Sequence, residues 1–317
     1  MDRVPPLSIG LTVYNGENYL RNALESLLAQ SWGDFELIIS DNASTDATED
    51  ICRAHAQHDR RIRYSRNDVN VGAAPNFNRT VKLARAPLFK WAAHDDMLEP
   101  DYLAKCMEVM EQRPDCVLIH TAIRLIDDLG EPIIPAPGGV VVDRNGNRHH
   151  DIDPLHLAES VKPSRRFADA LRRMVWCTGL FGIIRRDALL RTHGLGGYYE
   201  ADRVLLAELA LLGRFHQLEE PLFVKRCHKG VSVLMDRENK ARMMDMTRPP
   251  GQPWIKVRAG YAKALAVGEL GGVERAACAL IALRTAMRNP LSFRIKRWLA
   301  DMTGGETETA EQPSTRP

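Results

Sequence analysis

The first hundred residues alternate between short apolar runs and amphipathic segments. In residues 7–13, apolar side chains alternate with smaller or polar ones, which is typical of a β-strand. The next segment has leucine at positions 20, 24, 27 and 28, the spacing of one helix face. Further strands are predicted over 35–40, 62–65 and 88–93, each separated from the next by a helical segment. Strands that alternate with helices predict a parallel sheet.

The second half of the chain has a less regular pattern. A helix is predicted to begin at Pro100, and residues 127–166 are rich in proline, glycine, histidine and charge, which indicates irregular loops. The remaining pattern predicts strands over 116–120, 180–184 and 215–225, helices over 167–174, 202–212, 256–267 and 274–287, and a polar tail over 303–317. The tail has no core-forming residues, so we expect it to be disordered.

The composition is that of a packed globule with little net charge. The 317 residues include 43 Lys plus Arg against 41 Asp plus Glu, 44% are hydrophobic, and the formal net charge is +2. These values exclude a fully disordered chain and argue against a nucleic-acid partner. The six cysteines include no CxxC pair, which indicates reduced thiols.

The sequence has no obvious targeting or membrane-spanning segment. The amino terminus lacks a positive region followed by an apolar run, and no stretch approaches about 18 apolar residues. We therefore expect a cytoplasmic protein. A basic segment with aromatic residues at 293–298 could make peripheral contact with the inner face of a membrane, although a packed or exposed terminal helix is the favoured interpretation.

Polar residues cluster where the predicted strands end. The first strand runs into Tyr14 and Asn15, the second ends at Asp41, and the fourth leads to Asp95 and Asp96. Ligands of an open parallel sheet bind beyond the carboxyl ends of its strands. No glycine-rich phosphate-binding motif occurs at these turns. A phosphate-bearing ligand would therefore need a divalent cation, which carboxylate oxygens suit.

The same residues give the chain a family resemblance. The runs LSIGLTVYN at 7–15, DNASTD at 41–46 and NVG at 70–72, followed by Asp95-Asp96 and PD at 100–101, resemble family 2 glycosyltransferases of the GT-A fold. The similarity is strong over roughly the first 125 residues and continues weakly to about 235. It implies an α/β fold with a Rossmann-like, mostly parallel sheet flanked by helices, and a helical carboxyl-terminal extension.

The resemblance also implies a division of the chain. A glycosyltransferase domain would span 1–235, with its nucleotide-binding half at 1–125 and its acceptor half at 126–235. A helical extension would follow at 236–302, and a disordered tail at 303–317.

For the chemistry, the resemblance implies a nucleotide-diphosphate sugar donor, with a UDP-sugar favoured, and Mn²⁺ or Mg²⁺ as cofactor. Asp41 would accept a hydrogen bond from the base, Asp95 would face the ribose, and Asp96 would bind the metal, with His228 as a second candidate ligand. His94 stands where many family members carry a third acid. The donor-binding residues implied in this way are Thr12, Tyr14, Asn15, Glu17, Asp41 and Asp95.

The resemblance further matches Asp202 to the base that deprotonates the acceptor hydroxyl. The usual Glu-Asp pair of the family is here Ala201-Asp202, so one acid is missing. A single displacement with the acceptor opposite the leaving group would invert the anomeric centre. The implied acceptor is a glycan or a lipid-linked molecule, in polysaccharide or glycoconjugate biosynthesis.

Two other functions remain open from the sequence. A nucleotidyltransferase would normally carry a basic glycine-rich loop after its first strand, which residues 14–17 do not form. A catalytically inactive nucleotide-sugar-binding module would keep the crevice, and Asp202 would then serve only as a helix cap. His149 and His150 are better explained by an exposed loop than by a metal site.

Overall fold

The computed structural model describes residues 3–135, 141–144, 146, 152–230, 235, 237–247 and 253–288. Within these ranges, eight strands form one sheet that is flanked by helices. The strands are β1 (Leu7–Val13), β2 (Phe35–Asp41), β3 (Ile62–Arg66), β4 (Leu88–Ala93), β5 (Met97–Leu98), β6 (Cys116–Ile126), β7 (Ile183–Arg185) and β8 (Arg214–Arg226). The helices are α1 (Leu20–Leu28), α2 (Thr48–His58), α3 (Ala73–Leu83), α4 (Tyr102–Gln112), α5 (Pro163–Arg172), α6 (Arg186–Arg191), α7 (Ala201–Leu212), α8 (Arg237–Met244), α9 (Pro253–Ala264) and α10 (Gly272–Arg288).

The sheet has the strand order β3-β2-β1-β4-β7-β6-β8-β5. In its amino-terminal half, β1 runs parallel to β2 and β4, and β2 runs parallel to β3. In the other half, β7 is antiparallel to both β4 and β6, while β6 and β8 are parallel. The sheet is therefore parallel where the sequence pattern predicts it and mixed beyond β4.

The first two strands are buried on both faces, although β1 alternates apolar with smaller or polar residues. Every residue of β1 and β2 is buried, as expected for parallel strands covered on both faces. The leucine face of α1 packs against them through Leu20, Leu24 and Leu27. Because these strands are parallel, the carboxyl ends of β1, β2 and β4 all lie at one edge of the sheet, where the predicted site residues are.

The segment before β7 departs from the prediction. The predicted strand over 180–184 is wrong in its first part, because Thr178–Phe181 forms a 3₁₀ turn and β7 begins only at Ile183. At Gly182 a Cβ atom would lie 2.5 Å from the carbonyl oxygen of Ile119, so the chain passes too close to β6 for a side chain. The predicted strand over 116–120 also continues to Ile126.

The carboxyl-terminal helices complete the core on one face of the sheet. Val257 and Tyr261 of α9 and Cys278 of α10 are buried in the cluster that contains Leu205 and Phe167. The predicted tail at 303–317, the basic segment at 293–298, and His149 with His150 lie outside the described residues. In the part of the chain that the structure describes, no helix is both long and apolar enough to span a bilayer.

Candidate active site

The loops that follow β1 and β2 hold each other in place. The backbone N–H of Asn15 donates to Ser44 Oγ at 2.9 Å, and Asn15 Oδ1 accepts from the N–H of Thr45 at 2.8 Å. Glu17 Oε2 accepts from the N–H of Ala47 at 3.0 Å. The side chains of Asn15 and Glu17 thus position the loop after β2, and their predicted contact with the donor stays a prediction.

The other two residues predicted near this edge differ in exposure. Thr12 is nearly buried, at 6% of its surface, and pairs with Ser40 across the strands. Tyr14, the first residue after β1, is 44% exposed. Of these two residues, only Tyr14 presents a large surface to solvent.

Asp41 ends β2 as a fully buried carboxylate. Its Oδ2 accepts from the Tyr64 hydroxyl at 2.8 Å and from Arg66 Nη1 at 2.6 Å, and its Oδ1 accepts from the N–H of Ser44 at 2.9 Å. Burial, followed by the hydrogen bond to Asp41, raises the pKa of Tyr64. A carboxylate can accept about four hydrogen bonds, so these three leave one acceptor position unused. The partly exposed Arg66 is the charged partner of this carboxylate.

The NVG run is held at the end of β2 by Asn42, the second residue of the DNASTD motif. Asn42 Nδ2 donates to Asn70 Oδ1 at 2.8 Å and to the Gly72 carbonyl at 3.2 Å, while its Oδ1 accepts from the N–H of Val71 at 3.1 Å. The available signal was its place directly after a strand-end aspartate. This network fixes the loop before α3 beside Asp41.

Asp95 and His228 meet because β4 and β8 end at the same edge of the sheet. His228 Nε2 lies 3.0 Å from Asp95 Oδ2. The side chain of His228 is 13% exposed and that of Asp95 is 15% exposed. Burial opposes the charge on Asp95. The hydrogen bond with His228 and the nearby His94 and Lys225 outweigh it and hold the pKa of Asp95 well below its usual range.

Asp96 has different partners. Its carboxylate accepts from the backbone N–H of Arg226 at 3.0 Å and from Lys225 Nζ at 3.2 and 3.3 Å. Burial raises the pKa of Asp96, and the Lys225 ammonium opposes that shift. The structure therefore brings His228 to Asp95 rather than to Asp96, and the metal-binding role of Asp96 stays a prediction.

Two basic residues at the end of β8 complete the site. Lys225 is absent from the predicted site, and the signal for it was a basic residue at a strand end ahead of His228. Arg226 donates from Nε to the Asp95 carbonyl at 3.2 Å and from Nη1 to the Asp127 carbonyl at 3.1 Å. Its guanidinium also lies 4.6 Å from the centre of the Tyr19 ring. These contacts fix the backbone that carries the two aspartates.

The Asp95–His228 pair fits a divalent cation such as Mn²⁺ or Mg²⁺. Neighbouring ligands in an octahedral shell with bonds of about 2.1 Å lie about 3 Å apart, and the two ligand atoms are 3.0 Å apart. Carboxylate oxygen and neutral imidazole are both suitable ligands for Mn²⁺. Among the residues that the structure describes, no group of three or more His, Cys, Asp or Glu side chains could hold a metal. A cation held by Asp95 and His228 would therefore need further ligands.

Asp202 lies in the first turn of α7, apart from the pairs just described. Its Oδ1 accepts from the N–H of Arg203 at 2.8 Å, and within the described residues it makes no hydrogen bond or ion pair with the strand-end aspartates. Burial raises the pKa of Asp202, which the hydrogen bond from Arg203 only partly offsets. Glu200 faces Arg203 at 3.6 Å rather than replacing the missing acid beside Asp202.

Comparisons with known proteins find glycosyltransferases. Residues 8–133 match the model of glycosyl transferase family 2. The chain is 32% identical over 132 residues to the uncharacterized glycosyltransferase MJ1057 of Methanocaldococcus jannaschii, a match that covers 41% of this chain and 45% of that protein. It is also 33% identical over 134 residues to chondroitin synthase of Escherichia coli, covering 42% of this chain and 19% of that protein. The chain thus spans about half or less of the length of these relatives.

A third relative carries the name of a teichuronic acid biosynthesis glycosyltransferase, TuaG of Bacillus subtilis. It is 32% identical over 142 residues, which cover 44% of this chain and 56% of that protein.

Solved structures show the fold. Staphylococcus aureus TarS in complex with UDP superimposes with a TM-score of 0.61 at 16% identity, over 95% of this chain and 76% of that one. The mannosyltransferase PcManGT of Pyrobaculum calidifontis, in complex with GDP-Man and Mn²⁺, superimposes with a TM-score of 0.51 at 14% identity, over 96% of this chain and 82% of that one. The predicted GT-A fold is confirmed, and residues 8–133 resemble glycosyltransferase family 2.

Proposed function

We propose that the protein is an inverting glycosyltransferase that moves a sugar from a nucleotide-diphosphate sugar to an acceptor hydroxyl in polysaccharide or glycoconjugate biosynthesis. The observation that carries this proposal is the grouping of Asp41, Asp95, Asp96 and His228 beyond the ends of parallel strands. Only β1 separates β2 from β4, so the carboxyl ends of these two strands lie about 10 Å apart at the sheet edge. A nucleoside diphosphate can bridge such a distance.

In this proposal the base lies on Asp41 and its flanking groups. The free acceptor position of Asp41 takes an N–H from the base, as the N3–H of uracil offers. Arg66 covers the carboxylate and is 31% exposed, so its guanidinium turns toward the ligand or moves aside when the base enters. UDP is the proposed nucleotide, and a related fold is known in complex with UDP-GlcNAc.

The diphosphate lies at the ends of β4 and β8. Asp95 and His228 would hold Mn²⁺ or Mg²⁺, with Asp96 directly beside them. When bound, the cation neutralises charge on the departing diphosphate. The Lys225 ammonium compensates the charge of Asp96. Arg226 bonds the Asp95 carbonyl and so keeps both aspartates in place for the ribose and the cation.

Asp202 would accept the proton from the acceptor hydroxyl. Its raised pKa suits a general base, because a carboxylate with a pKa nearer to neutral takes up a proton more readily. The helix that carries Asp202 is α7, which covers one face of the sheet together with α5. It begins near Cys177, a buried residue whose backbone has a left-handed conformation.

Product analysis tests this function. Purified protein is incubated with UDP-, GDP- and TDP-sugars, with Mn²⁺, Mg²⁺ or EDTA, and release of the nucleoside diphosphate is measured with water or simple glycosides as acceptor. We expect release from a subset of donors only with a cation, loss in Asp95→Ala, and no loss in the exposed control Asp68→Ala. Release that continues in EDTA and in Asp95→Ala would contradict the assignment. The anomeric signal of a transferred sugar, read by NMR, tests inversion.

A further inference from the structure

The helix α10 carries an apolar stripe on its solvent side. Its inner side packs against α5 and α9, with Cys278 buried and Ile281 in contact with the core cluster. The outer side carries four apolar residues that we call the α10 stripe: Ala276, Leu280, Leu283 and Met287, of which the last three are 46%, 54% and 63% exposed. Because neighbouring members are three or four residues apart, they form one line along the helix. Single exposed apolar residues are ordinary, whereas a continuous line of them is typical of an interaction surface.

The residues that flank the α10 stripe are basic. At about 100° per residue, Arg275 lies on one side of the stripe and Arg284 on the other, and both side chains are exposed. The only acid in the sequence of this helix is Glu274, which lies on the inner half and accepts from the backbone N–H of Ser164 at 2.8 Å. The outer half of α10 is therefore apolar along its middle and positive at both edges.

The excess of positive charge continues along the sequence beyond the helix. From 275 to 300 the sequence contains no acid, and its six basic residues are Arg275, Arg284, Arg288, Arg294, Lys296 and Arg297. Residues 289–300 lie outside the described residues, and their sequence adds Phe293 and Trp298 to this charge. In a chain with a net charge of only +2, this segment is a strong local excess. Such a segment is complementary to an anionic surface.

We propose that the α10 stripe and its flanking arginines bind the surface of an anionic lipid bilayer. The helix lies in the plane of the surface, and Leu280, Leu283 and Met287 enter the boundary between headgroups and acyl chains. Arg275 and Arg284 extend their guanidinium groups to the lipid phosphates. The inference goes beyond the proposed reaction and does not depend on it, because lipid binding requires no donor sugar.

A second copy of the chain fits this surface less well than lipid does. Two α10 stripes packed against each other would bring Arg275 and Arg284 of both copies to the edges of one seam. The helix has no outward acid to pair with them. Paired helices normally place opposite charges at the edges of their apolar seam. The charge pattern therefore favours an anionic bilayer over a dimer.

Vesicle sedimentation with the full chain tests the inference. Wild type is mixed with vesicles of phosphatidylcholine alone, or of phosphatidylcholine with about a third of phosphatidylglycerol, which is anionic. We expect binding to the anionic vesicles only. Raising the salt from about 0.05 M to about 0.5 M should weaken it, because salt screens exposed charges.

Two double variants separate the apolar contribution from the charge. Leu280→Gln/Leu283→Gln removes the centre of the α10 stripe but keeps residues that favour a helix. Arg275→Gln/Arg284→Gln removes the flanking charge and leaves the stripe. Each should lower the partition coefficient for anionic vesicles by about tenfold or more. Since only exposed side chains change, both variants should keep the wild-type melting temperature.

Matched controls change exposed residues elsewhere on the molecule. The apolar control is Leu129→Gln/Ile134→Gln, and the charge control is Arg60→Gln/Lys82→Gln. Both should bind anionic vesicles within twofold of wild type.

A fluorophore on the α10 stripe provides a second readout. All six native cysteines are buried, so a polarity-sensitive thiol probe labels Leu283→Cys selectively. We expect its emission to shift to shorter wavelength with anionic vesicles, and the emission of the same probe on Ile134→Cys to stay unchanged.

Three results would overturn the inference. The first is no binding of wild type to anionic vesicles. The second is binding that Leu280→Gln/Leu283→Gln leaves unchanged, which would assign it to charge alone. The third is a wild-type dimer in light scattering that this variant converts to a monomer, which would assign the α10 stripe to a second copy. UDP-sugar hydrolysis without vesicles is measured in parallel, and its absence together with intact vesicle binding bears on the proposed function alone.

Discussion

At the scale of single residues, the ammonium group of Lys90 lies in the interior of the sheet. Lys90 is in the middle of β4 and has no exposed surface. Its Nζ donates to the carbonyl of Phe181 and lies 4.6 Å from the ring centre of Tyr102 and 5.6 Å from that of Phe223. Burial lowers the pKa of Lys90 to about 7. One side chain thus joins β4, α4, β8 and the 3₁₀ turn beneath the site.

The lowered pKa predicts how stability depends on pH. An unfolded chain protonates Lys90 near its ordinary pKa of 10.5, whereas the folded chain does so only near 7, so the stability contributed by this group falls as the pH falls from about 10 to about 7. In Lys90→Met that loss is absent. As the pH falls through this window, the free energy of unfolding of the variant relative to wild type should therefore rise by up to about 5 kcal/mol, and it should level off below pH 7.

Urea denaturation at several pH values measures the difference, with the exposed Lys82→Met as control. A difference between Lys90→Met and wild type that is constant from pH 7 to pH 10 would contradict the assigned shift.

Asp202 provides a second prediction at this scale. Because burial raises the pKa of its carboxyl, the acidic limb of the pH dependence of kcat should lie above the usual carboxyl range near pH 4. Asp202→Asn should lower kcat about 10²- to 10⁴-fold while UDP affinity stays unchanged. Steady-state rates and calorimetric UDP binding check both parts, with Asp68→Asn as control. Full activity in Asp202→Asn would remove Asp202 from the chemistry.

At the scale of elements, the loop before α3 is enclosed between β2 and the segment after α8. Gly72 adopts a φ of +91°, and a Cβ there would lie 2.7 Å from Asp245 Cα. The N–H of Met246 also donates to the carbonyl of Val71 at 3.3 Å. The position of this loop next to Asp41 thus depends on close backbone packing from a segment more than 150 residues away in sequence.

Gly72→Ala should therefore destabilise the protein and weaken donor binding. The added methyl meets both an unfavourable φ and backbone atoms, so we expect a loss of about 1–3 kcal/mol in the free energy of unfolding. Gly130→Ala is the matched control, since Gly130 has a φ of +92° but its Cβ would have a nearest neighbour at 3.9 Å. Urea denaturation compares the two variants. An equal loss in both would show that the contact with Asp245 contributes nothing.

At the scale of the whole molecule, local pattern and long-range contact account for different parts of the structure. Strands β1 to β4 follow from the sequence because their apolar periodicity is a local property. The 3₁₀ turn before β7 does not, because it depends on how closely Gly182 approaches Ile119. Likewise Asp95 and Asp96 were predicted from their place after a strand. Their contacts with His228 and Lys225 were not, because those residues lie at or just after the end of β8, more than 125 residues later in the sequence.

The near-zero net charge also has a structural counterpart. Asp41 is paired with Arg66 and Asp96 with Lys225, so the candidate site carries acids and bases in close contact rather than one excess charge. A cation and a diphosphate, which nearly cancel each other's charge, fit such a site together better than either does alone.

Calorimetric titration with UDP tests whether Asp95 and His228 hold a cation that supports donor binding. Wild type, Asp95→Asn, His228→Ala and the exposed control Asp68→Asn are each titrated with Mn²⁺ and with EDTA. We expect wild type and control to bind UDP at least tenfold more tightly with Mn²⁺, and both site variants to lose this dependence. No UDP binding to the wild type, or equal binding by all four proteins with and without the cation, would contradict it.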